Sequence, residues 1–378
     1  MKNRLFLFLT GCLLSAFSTF AQGPKQIAKI SRSVWPYEIN SVTEFDFASK
    51  MEMLVFIEVL QGQDKQANED SLAHYLGLEK VAIPSIELWK GKVKSTLLTN
   101  FNALSKPSSH DFIPLSQPIS WISLVQGAKS LEGKMPDALK VWYGATKAFY
   151  LRYIYEQMRL AALFPRVTSE ILPLDNSELT GFELKDKQFL LTFDDGPTAP
   201  HGHTDRLLTT LQQQNQPAIF FILGDMFNAR LKATSLKQLH DLYGANVVGS
   251  HGKVHKPHQK YADWPHSLAS SLQVIDSVIP ENQQRRFFRP PYGQRNSQMV
   301  SYLNAHHAQV MLWNIDSQDW NAKIASREVA DRVITLMLLW RKGIILFHDI
   351  HPKANEALPI IWKQFNATGI SWVDPVKL

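Results

Sequence analysis

The second half of the chain contains a pair of histidines and several aspartates whose spacing could allow metal binding and acid/base chemistry. His251 and His255 form an H-x-x-x-H pair, which alone also fits a histidine-rich surface turn or two buried imidazoles. Gly252 stands where an H-E-x-x-H zinc protease carries glutamate, so that kind of site is excluded. Because Cys12 is the only cysteine, a third metal ligand must be an oxygen, and Asp195 is the natural candidate. Two imidazoles and one carboxylate leave a coordination position open, which suits a catalytic zinc that activates water.

A general base is predicted beside this set of ligands. Asp194 precedes Asp195, and consecutive residues of a strand point in different directions, so the two carboxylates cannot easily do the same job. Asp194 is therefore free to take a proton from water. A general base has to stay ionised, and Arg289 beside it would favour the charged carboxylate.

A general acid is predicted on the other side of the leaving group. His348 can supply a proton if a nearby carboxylate raises its pKa above the usual value of about 6.5. Asp319 is the preferred carboxylate for this role, with Trp320 as a wall of the pocket. Asp349, which directly follows His348, is the competing candidate.

The elements that must position these groups begin after Thr180. Short apolar runs rich in β-branched and aromatic residues alternate there with amphipathic segments, which is typical of repeated βα units around a parallel sheet. The predicted strands are Phe189 to Phe193, Ala218 to Leu223, Asn246 to Ser250, Phe287 to Pro290, Val310 to Ile315, Ile344 to Phe347 and Ile370 to Val373. Seven strands predict an incomplete (β/α) barrel. The polar groups lie at or just after the carboxyl ends of these strands, on the face where catalytic groups of barrels gather.

The first half of the chain has the apolar spacing of long helices. Helices are predicted over Phe47 to Leu60, Ile86 to Leu104 and Asp137 to Phe164, with a loop from Ser105 to Pro118. We interpret residues 22–184 as a helical accessory domain of unknown purpose and residues 185–378 as the domain that carries the chemistry.

The amino terminus has the pattern of an export signal. Lys2 and Arg4 precede an apolar stretch from Leu5 to Phe20, and Ala21 is a small residue at a plausible cleavage point. Residues 1–21 therefore predict a protein of the periplasm, the cell envelope or the extracellular space, with no stable membrane span. A lipoprotein attached through Cys12 is the less favoured alternative.

Composition and glycine spacing exclude several other classes. The 378 residues are 45% hydrophobic and 20% charged, with a net charge of +6 and no dense Lys/Arg block, so no nucleic-acid partner is expected. No glycine pair has the spacing of the G-x-G-x-x-G dinucleotide turn or of the G-x-S-x-G nucleophile elbow.

Five motifs of the chain resemble, in order and spacing, those of the NodB-like polysaccharide deacetylases, the fourth carbohydrate esterase family. They are Thr192-Phe193-Asp194-Asp195-Gly196, His251-x-x-x-His255, Arg289-Pro290-Pro291-Tyr292-Gly293, Asp316-x-x-Asp319-Trp320 and Leu346-x-His348-Asp349. The resemblance covers residues from about 187 to 378 and says nothing of the helical region.

The resemblance implies an enzyme that removes acetyl groups from N-acetylglucosamine residues of a polysaccharide. It implies a divalent metal, commonly zinc, with Co, Ni or Mn as alternatives. Position by position, Asp194 looks like the family's base, and the residues that look like its metal ligands are Asp195, His251 and His255. Arg289 looks like the residue that tunes the base, and the backbone N–H of Tyr292 resembles the oxyanion donor. Asp319 looks like the carboxylate that tunes the family's general acid, and His348 looks like that acid. Trp320 and Leu346 look like the walls of its pocket.

One position departs from the family pattern, and two other functions stay open. Gly252 replaces the usual Ser or Thr after the first histidine, which predicts weaker support of the ligand loop. The alternatives are a non-catalytic glycan-binding module of the envelope and an amidase that acts on a non-sugar amide. A complete acid/base set argues against the first. Peptidoglycan, poly-N-acetylglucosamine and chitin-type polymers are all open as substrates.

Overall fold

The computed structural model describes residues 26–63, 68–104, 108–114, 119–163, 173–279 and 286–378. The predicted export signal at residues 1–21 and the lipid-attachment alternative at Cys12 lie outside the described residues. Among the helices that are described, none combines the length and the apolar character needed to cross a membrane.

Five α-helices make up the described part of the first half of the chain. They are α1 (Val42–Gln63), α2 (Glu69–Leu76), α3 (Ile83–Asn102), α4 (Trp121–Lys134) and α5 (Lys140–Leu163). The three predicted helices correspond to α1, α3 and α5. The two that were not predicted, α2 and α4, are shorter, and each begins with a reciprocal capping box, Asn68 with Ser71 and Ser120 with Ser123.

The second half forms a parallel sheet curved into an incomplete barrel. Its strands are β1 (Gln188–Asp194), β2 (Ile219–Ile222), β3 (Val247–Ser250), β4 (Arg286–Phe288), β5 (Ala308–Val310), β6 (Ile315–Asp316), β7 (Gly343–His348) and β8 (Ser371–Trp372). The order across the sheet is β5-β4-β3-β2-β1-β7-β6, and β8 pairs with the start of β1. The helices are α6 (His203–Gln213), α7 (Gly224–Leu231), α8 (Leu236–Tyr243), α9 (Trp264–Val278), α10 (Ser297–Ala305), α11 (Ser326–Trp340) and α12 (Pro352–Gln364). The predicted fold class, an incomplete (β/α) barrel after a helical region, is confirmed.

The predicted fifth strand was wrong in one respect. The run from Val310 to Ile315 is not one strand, because it crosses the gap between the two edges of the sheet, with β5 at one edge and β6 at the other. Leu179 fills part of this gap: its N–H donates to the carbonyl of Val310 at 2.9 Å, and its carbonyl accepts the N–H of Leu312 at 2.7 Å. A segment that precedes the barrel in sequence thus helps to close it.

Helix α11 joins the two halves of the molecule. Twelve consecutive residues of α11, from Val329 to Trp340, are buried, because the helix packs on α12 and β7 on one side and on α1 and α3 on the other. One apolar core cluster therefore runs from the helical region into the barrel. A helix buried on all sides is mostly apolar around its circumference, and the buried part of α11 is apolar except for Asp331, Arg332 and Thr335, which are also buried.

Candidate active site at the mouth of the barrel

The chemically interesting residues meet at one edge of the sheet because parallel strands end on the same side. Asp194 is the last residue of β1 and lies opposite His348, the last residue of β7. His251 directly follows β3, and Arg289 directly follows β4. Residues far apart in sequence therefore share one mouth of the barrel, as the strand pattern predicted.

Asp195, His251 and His255 form a candidate metal site. The Oδ1 atom of Asp195 lies 3.5 Å from Nε2 of His251 and 3.5 Å from Nε2 of His255. This oxygen is buried, and within the described part of the chain it has no hydrogen-bond partner. A buried, unpaired carboxylate oxygen faced by two imidazole nitrogens is unfavourable without a cation. The donor set fits a divalent metal with room for further ligands.

The backbone and the neighbouring groups fix the ligands in this arrangement. Asp195 has a positive φ of 81°, which turns its side chain away from the direction that a regular strand would give it. Nδ1 of His251 lies 2.7 Å from the carbonyl oxygen of Arg289, so Nδ1 carries the hydrogen and Nε2 presents its lone pair. Burial lowers the pKa of His251 well below its usual value, which keeps the imidazole neutral and able to bind a metal.

A buried ion pair holds the candidate base. Arg289 is fully buried and donates through one nitrogen to Oδ1 of Asp194 at 2.8 Å and to Oγ1 of Thr192 at 2.7 Å. Its other nitrogens donate to the carbonyls of Met311 and Leu312. Burial raises the pKa of Asp194 to about 6, against the opposing effect of the Arg289 and His348 charges. The carboxyl group can therefore exchange a proton near neutral pH, as a general base must.

The candidate acid is held by the carboxylate that the sequence favoured. Nδ1 of His348 lies 2.8 Å from Oδ1 of Asp319, and the backbone N–H of His348 donates to Oδ2 of Asp319 at 2.8 Å. Burial alone would lower the pKa of His348, but Asp319, together with Asp195 and Asp194, raises it to about 10. The histidine therefore carries its proton at neutral pH.

Asp349, the competing candidate, has another role. Its Oδ2 accepts a hydrogen bond from Oγ1 of Thr204 at 2.8 Å, and burial raises its pKa to about 7. A Cβ atom at Gly196 would lie 1.9 Å from the same oxygen. Asp349 thus packs under the turn that carries Asp195, and position 196 of that turn has room only for glycine.

The remaining predicted site residues lie at the rim and in the wall. Tyr292 and Trp320 expose 54% and 45% of their surface, which leaves two aromatic faces beside the mouth. The ring of Tyr292 contacts His255 edge-on, with the centroids 4.6 Å apart. The turn of Tyr292 is closed by the N–H groups of Gly293 and Gln294. Leu346 is 4% exposed and belongs to the apolar cluster inside the barrel, so its side chain forms part of the wall.

Sequence reasoning missed the residue that fills the space beside Gly252. This glycine has φ of 84°, and a Cβ there would lie 2.6 Å from Cε1 of His258. The buried His258 ring lies 2.7 Å from the carbonyl of Lys256 through Nδ1 and 2.9 Å from Oγ of Ser267 through Nε2. Ser267 in turn accepts the N–H of Lys253 at 2.9 Å. His258 and Ser267 therefore brace the loop between the two histidine ligands, and no pattern in the sequence indicated this role.

These features define the class of the protein: an incomplete (β/α) barrel with a candidate metal site beside a candidate base and a candidate acid. Residues 182–311 match the family model described as "Polysaccharide deacetylase". This segment therefore matches the NodB-like polysaccharide deacetylase family that the sequence motifs predicted, and members of that family generally depend on a metal. The match contains the candidate base and the candidate metal ligands, whereas Asp319 and His348 lie beyond it.

Similar proteins include deacetylases of two glycans. A peptidoglycan-N-acetylglucosamine deacetylase of Bacillus cereus is 29% identical over 194 residues, which are 47% of this chain and 66% of that protein. Chitin deacetylase 1 of Saccharomyces cerevisiae is 28% identical over 177 residues, 42% of this chain and 50% of that protein. The matches thus span about two thirds or less of these relatives. A solved peptidoglycan N-acetylglucosamine deacetylase has 22% identity and a TM-score of 0.45, covering 52% of this chain and 90% of its own.

Proposed function

We propose that this protein is a metal-dependent N-deacetylase that hydrolyses the acetamide of N-acetylglucosamine residues in a polysaccharide or oligosaccharide. One observation carries the proposal: two ion pairs of opposite function, Asp194 with Arg289 and His348 with Asp319, flank one cluster of Asp195, His251 and His255. A site that only bound glycan would have no use for both a base and an acid. The relatives named as deacetylases of peptidoglycan and chitin support the substrate class.

The base side of the site activates water. Asp195, His251 and His255 would hold a divalent metal, with zinc expected and Co, Ni or Mn as alternatives, which would polarise the acetyl carbonyl and acidify water when bound. Asp194 accepts the proton of the attacking water at its carboxylate. Arg289 donates to Oδ1 of Asp194, which leaves Oδ2 to accept that proton.

The acid side of the site completes the cleavage. As the carbonyl carbon becomes tetrahedral, the negative charge on its oxygen is stabilised by a donor, and the backbone N–H of Tyr292 is our candidate. His348 then donates its proton to the nitrogen of the sugar, and the C–N bond breaks. The products are acetate and a glucosamine residue. Trp320 and Leu346 are the candidate walls for the acetyl group.

Acetate release from defined glycans tests the proposal. Purified protein is incubated with peptidoglycan, chitin oligomers and poly-N-acetylglucosamine, and both acetate and new free amines are quantified. We expect release from at least one polymer, its loss after treatment with a chelator, and its recovery after addition of zinc, cobalt, nickel or manganese. Binding without release would favour a glycan-binding module, and release from non-sugar acetamides alone would favour an amidase. Either result contradicts the proposal.

We also propose that the protein acts outside the cytoplasm, with residues 1–21 removed. The charged start, the apolar stretch and Ala21 support this. Mass spectrometry of protein recovered from an envelope or secreted fraction should give a chain that starts at residue 22. A chain that retains residues 1–21 contradicts the proposal, and a lipid on Cys12 would establish the lipoprotein alternative.

A further inference from the structure

We propose that Glu156, a residue of the helical region, positions the general acid of the barrel through Arg332. Glu156 lies on α5 and Arg332 on α11, and neither is part of the candidate acid/base set. The inference rests on the proposed function, because it assigns His348 the role of proton donor. It gives the helical region a role in holding one side of the active site.

Arg332 contacts the helical region and the active-site loop at the same time. One nitrogen donates to Oε2 of Glu156 at 2.8 Å and another to the carbonyl of Ala28 at 3.0 Å. Its Nε donates to the carbonyl oxygen of Asp316 at 2.9 Å. Arg332 is fully buried and Glu156 is 2% exposed. A guanidinium presents its donors in a rigid fork, so fixing one end of the group also fixes the other.

A short turn connects Asp316 to the residue that holds the proposed acid. The carboxylate of Asp316 accepts both the backbone N–H and the side-chain amide of Gln318, each at 2.8 Å. The next residue is Asp319, which holds His348 by its ring and by its backbone N–H. Only three residues separate Asp316, whose carbonyl Arg332 binds, from the exposed Trp320 at the rim.

The helical region also fixes the far end of α11. Oγ of Ser49 donates to the carbonyl of Leu338 at 2.7 Å, and the amide of Asn100 donates to the carbonyl of Trp340 at 3.0 Å. These carbonyls belong to the last turn of the helix, where no partner within the helix is available. With the last turn of α11 held by Ser49 and Asn100 and its middle held by Glu156, the helical region sets the position of Arg332.

Loss of the Glu156 charge should act on the acid and spare the metal ligands. Without it, the buried Arg332 keeps its charge, and the other carboxylate whose charge acts on Arg332 is that of Asp316, which in the wild type holds the turn of Gln318. Rotation of Arg332 toward Asp316 would break that turn and move Asp319. The ligands Asp195, His251 and His255 lie on other segments of the chain, after β1 and β3. The effect should therefore be confined to the acid side.

The experiment compares Glu156→Gln with Glu52→Gln in the full chain. Glu52 is a matched control, since it is also a buried carboxylate of the helical region that pairs with an arginine, Arg32, and accepts from Trp142 and Tyr150. We expect Glu156→Gln to lower kcat about 10- to 100-fold with little change of KM or of zinc affinity. Amide hydrogen exchange at Gln318 and His348 should accelerate in this variant. Glu52→Gln should destabilise the protein without either effect.

Three results would overturn the inference. They are wild-type kcat and unchanged exchange in Glu156→Gln, equal effects of the two variants on kcat and on the loop, or a loss of zinc affinity in Glu156→Gln. If Glu156→Gln does not fold, Arg332→Lys decides, because lysine can pair with Glu156 but cannot also donate to Asp316: unchanged exchange at Gln318 and His348 would then refute the role. Absence of acetate release from the wild type would refute the proposed function, while the exchange comparison still tests the positioning.

Discussion

Asp319 holds His348 at two points, by its ring nitrogen Nδ1 and by its backbone N–H, each at 2.8 Å. The two contacts use both carboxylate oxygens, so the imidazole cannot rotate without losing one of them. Nε2 is therefore the nitrogen left to meet substrate. The same carboxylate fixes both the direction and the charge of the acid, which makes it the most informative residue to change.

Replacing Asp319 by Asn should lower kcat about 100-fold or more while the protein keeps its metal. The neutral amide no longer stabilises the protonated imidazole, and one of its two polar atoms is a donor that opposes either the ring or the backbone N–H. Steady-state kinetics and metal analysis of the purified variant check this. Activity within threefold of wild type would show that His348 does not depend on Asp319.

The pH dependence of kcat should be bell-shaped. The pKa of Asp194 is raised to about 6 by burial, and that of His348 is raised to about 10, mainly by Asp319. Activity needs Asp194 ionised and His348 protonated, so it should fall as the pH drops through the first value and as it rises through the second. A bound cation favours the charged carboxylate and disfavours the charged imidazole, so both limbs should lie at or below these values. Activity that rises steadily above pH 10 would contradict the assignment.

The two adjacent aspartates should fail in different ways. Asp194→Asn should abolish turnover and retain nearly stoichiometric metal, because Asp194, held by Arg289, is the proposed base and not a proposed ligand. Asp195→Asn should lose the metal, because it replaces the only carboxylate of the ligand cluster. Metal content by elemental analysis, alongside acetate release, separates the variants. Loss of metal in Asp194→Asn with retention in Asp195→Asn would reverse the two roles.

Replacing His258 by Ala should weaken metal binding about 10- to 100-fold, the usual size of the effect when a group that supports a ligand is lost. The imidazole fills the space beside Gly252 and bonds to Lys256 and Ser267, so its loss frees the loop between His251 and His255. Competition with a chelator measures the affinity. His240→Ala, which removes an exposed histidine of α8, is the control and should bind metal normally.

The contacts that hold the segment across the barrel gap should matter for stability. Glu178, next to Leu179, forms a fully buried ion pair with Arg295 and also accepts the N–H of Leu174. Glu178→Gln should cost about 3–5 kcal/mol in the free energy of unfolding, because it leaves a buried arginine without its carboxylate. Asp241→Asn, which breaks an exposed pair with Lys237, should cost less than about 1 kcal/mol. Denaturant titrations compare the two, and equal costs would contradict this account.

The carboxyl ends of the strands could be predicted well from the sequence, because each depends only on neighbouring residues in the chain. A β-rich run followed by a polar group puts that group at the carboxyl edge of a parallel sheet, and Asp194 and His348 indeed end neighbouring strands. The fold class followed from the same alternation. The sequence favoured Asp319 over Asp349 as the partner of His348, and in the structure Asp319 contacts the ring of His348.

Other features could not be read from the sequence because they depend on packing between distant segments. Glu156 and Arg332 lie 176 positions apart, and no pattern near either residue indicates the pair. The run from Val310 to Ile315 has the composition of one strand, and only the curvature of the barrel shows that it must cross from one edge to the other. His258 could be identified as a brace only once the space beside Gly252 was known.

The hydrogen bonds of Leu179 bear on whether the barrel could be transferred to another protein without the helical region. A fragment cut at residue 185 would lose the residue that bridges Val310 and Leu312 and would bare the face of α11 that packs against α1. Such a fragment would expose backbone donors and a broad apolar surface to water, and it would be prone to self-association. The barrel of this chain is therefore poorly suited to fusion with other proteins on its own. A fusion protein that contains it would also need the helical region.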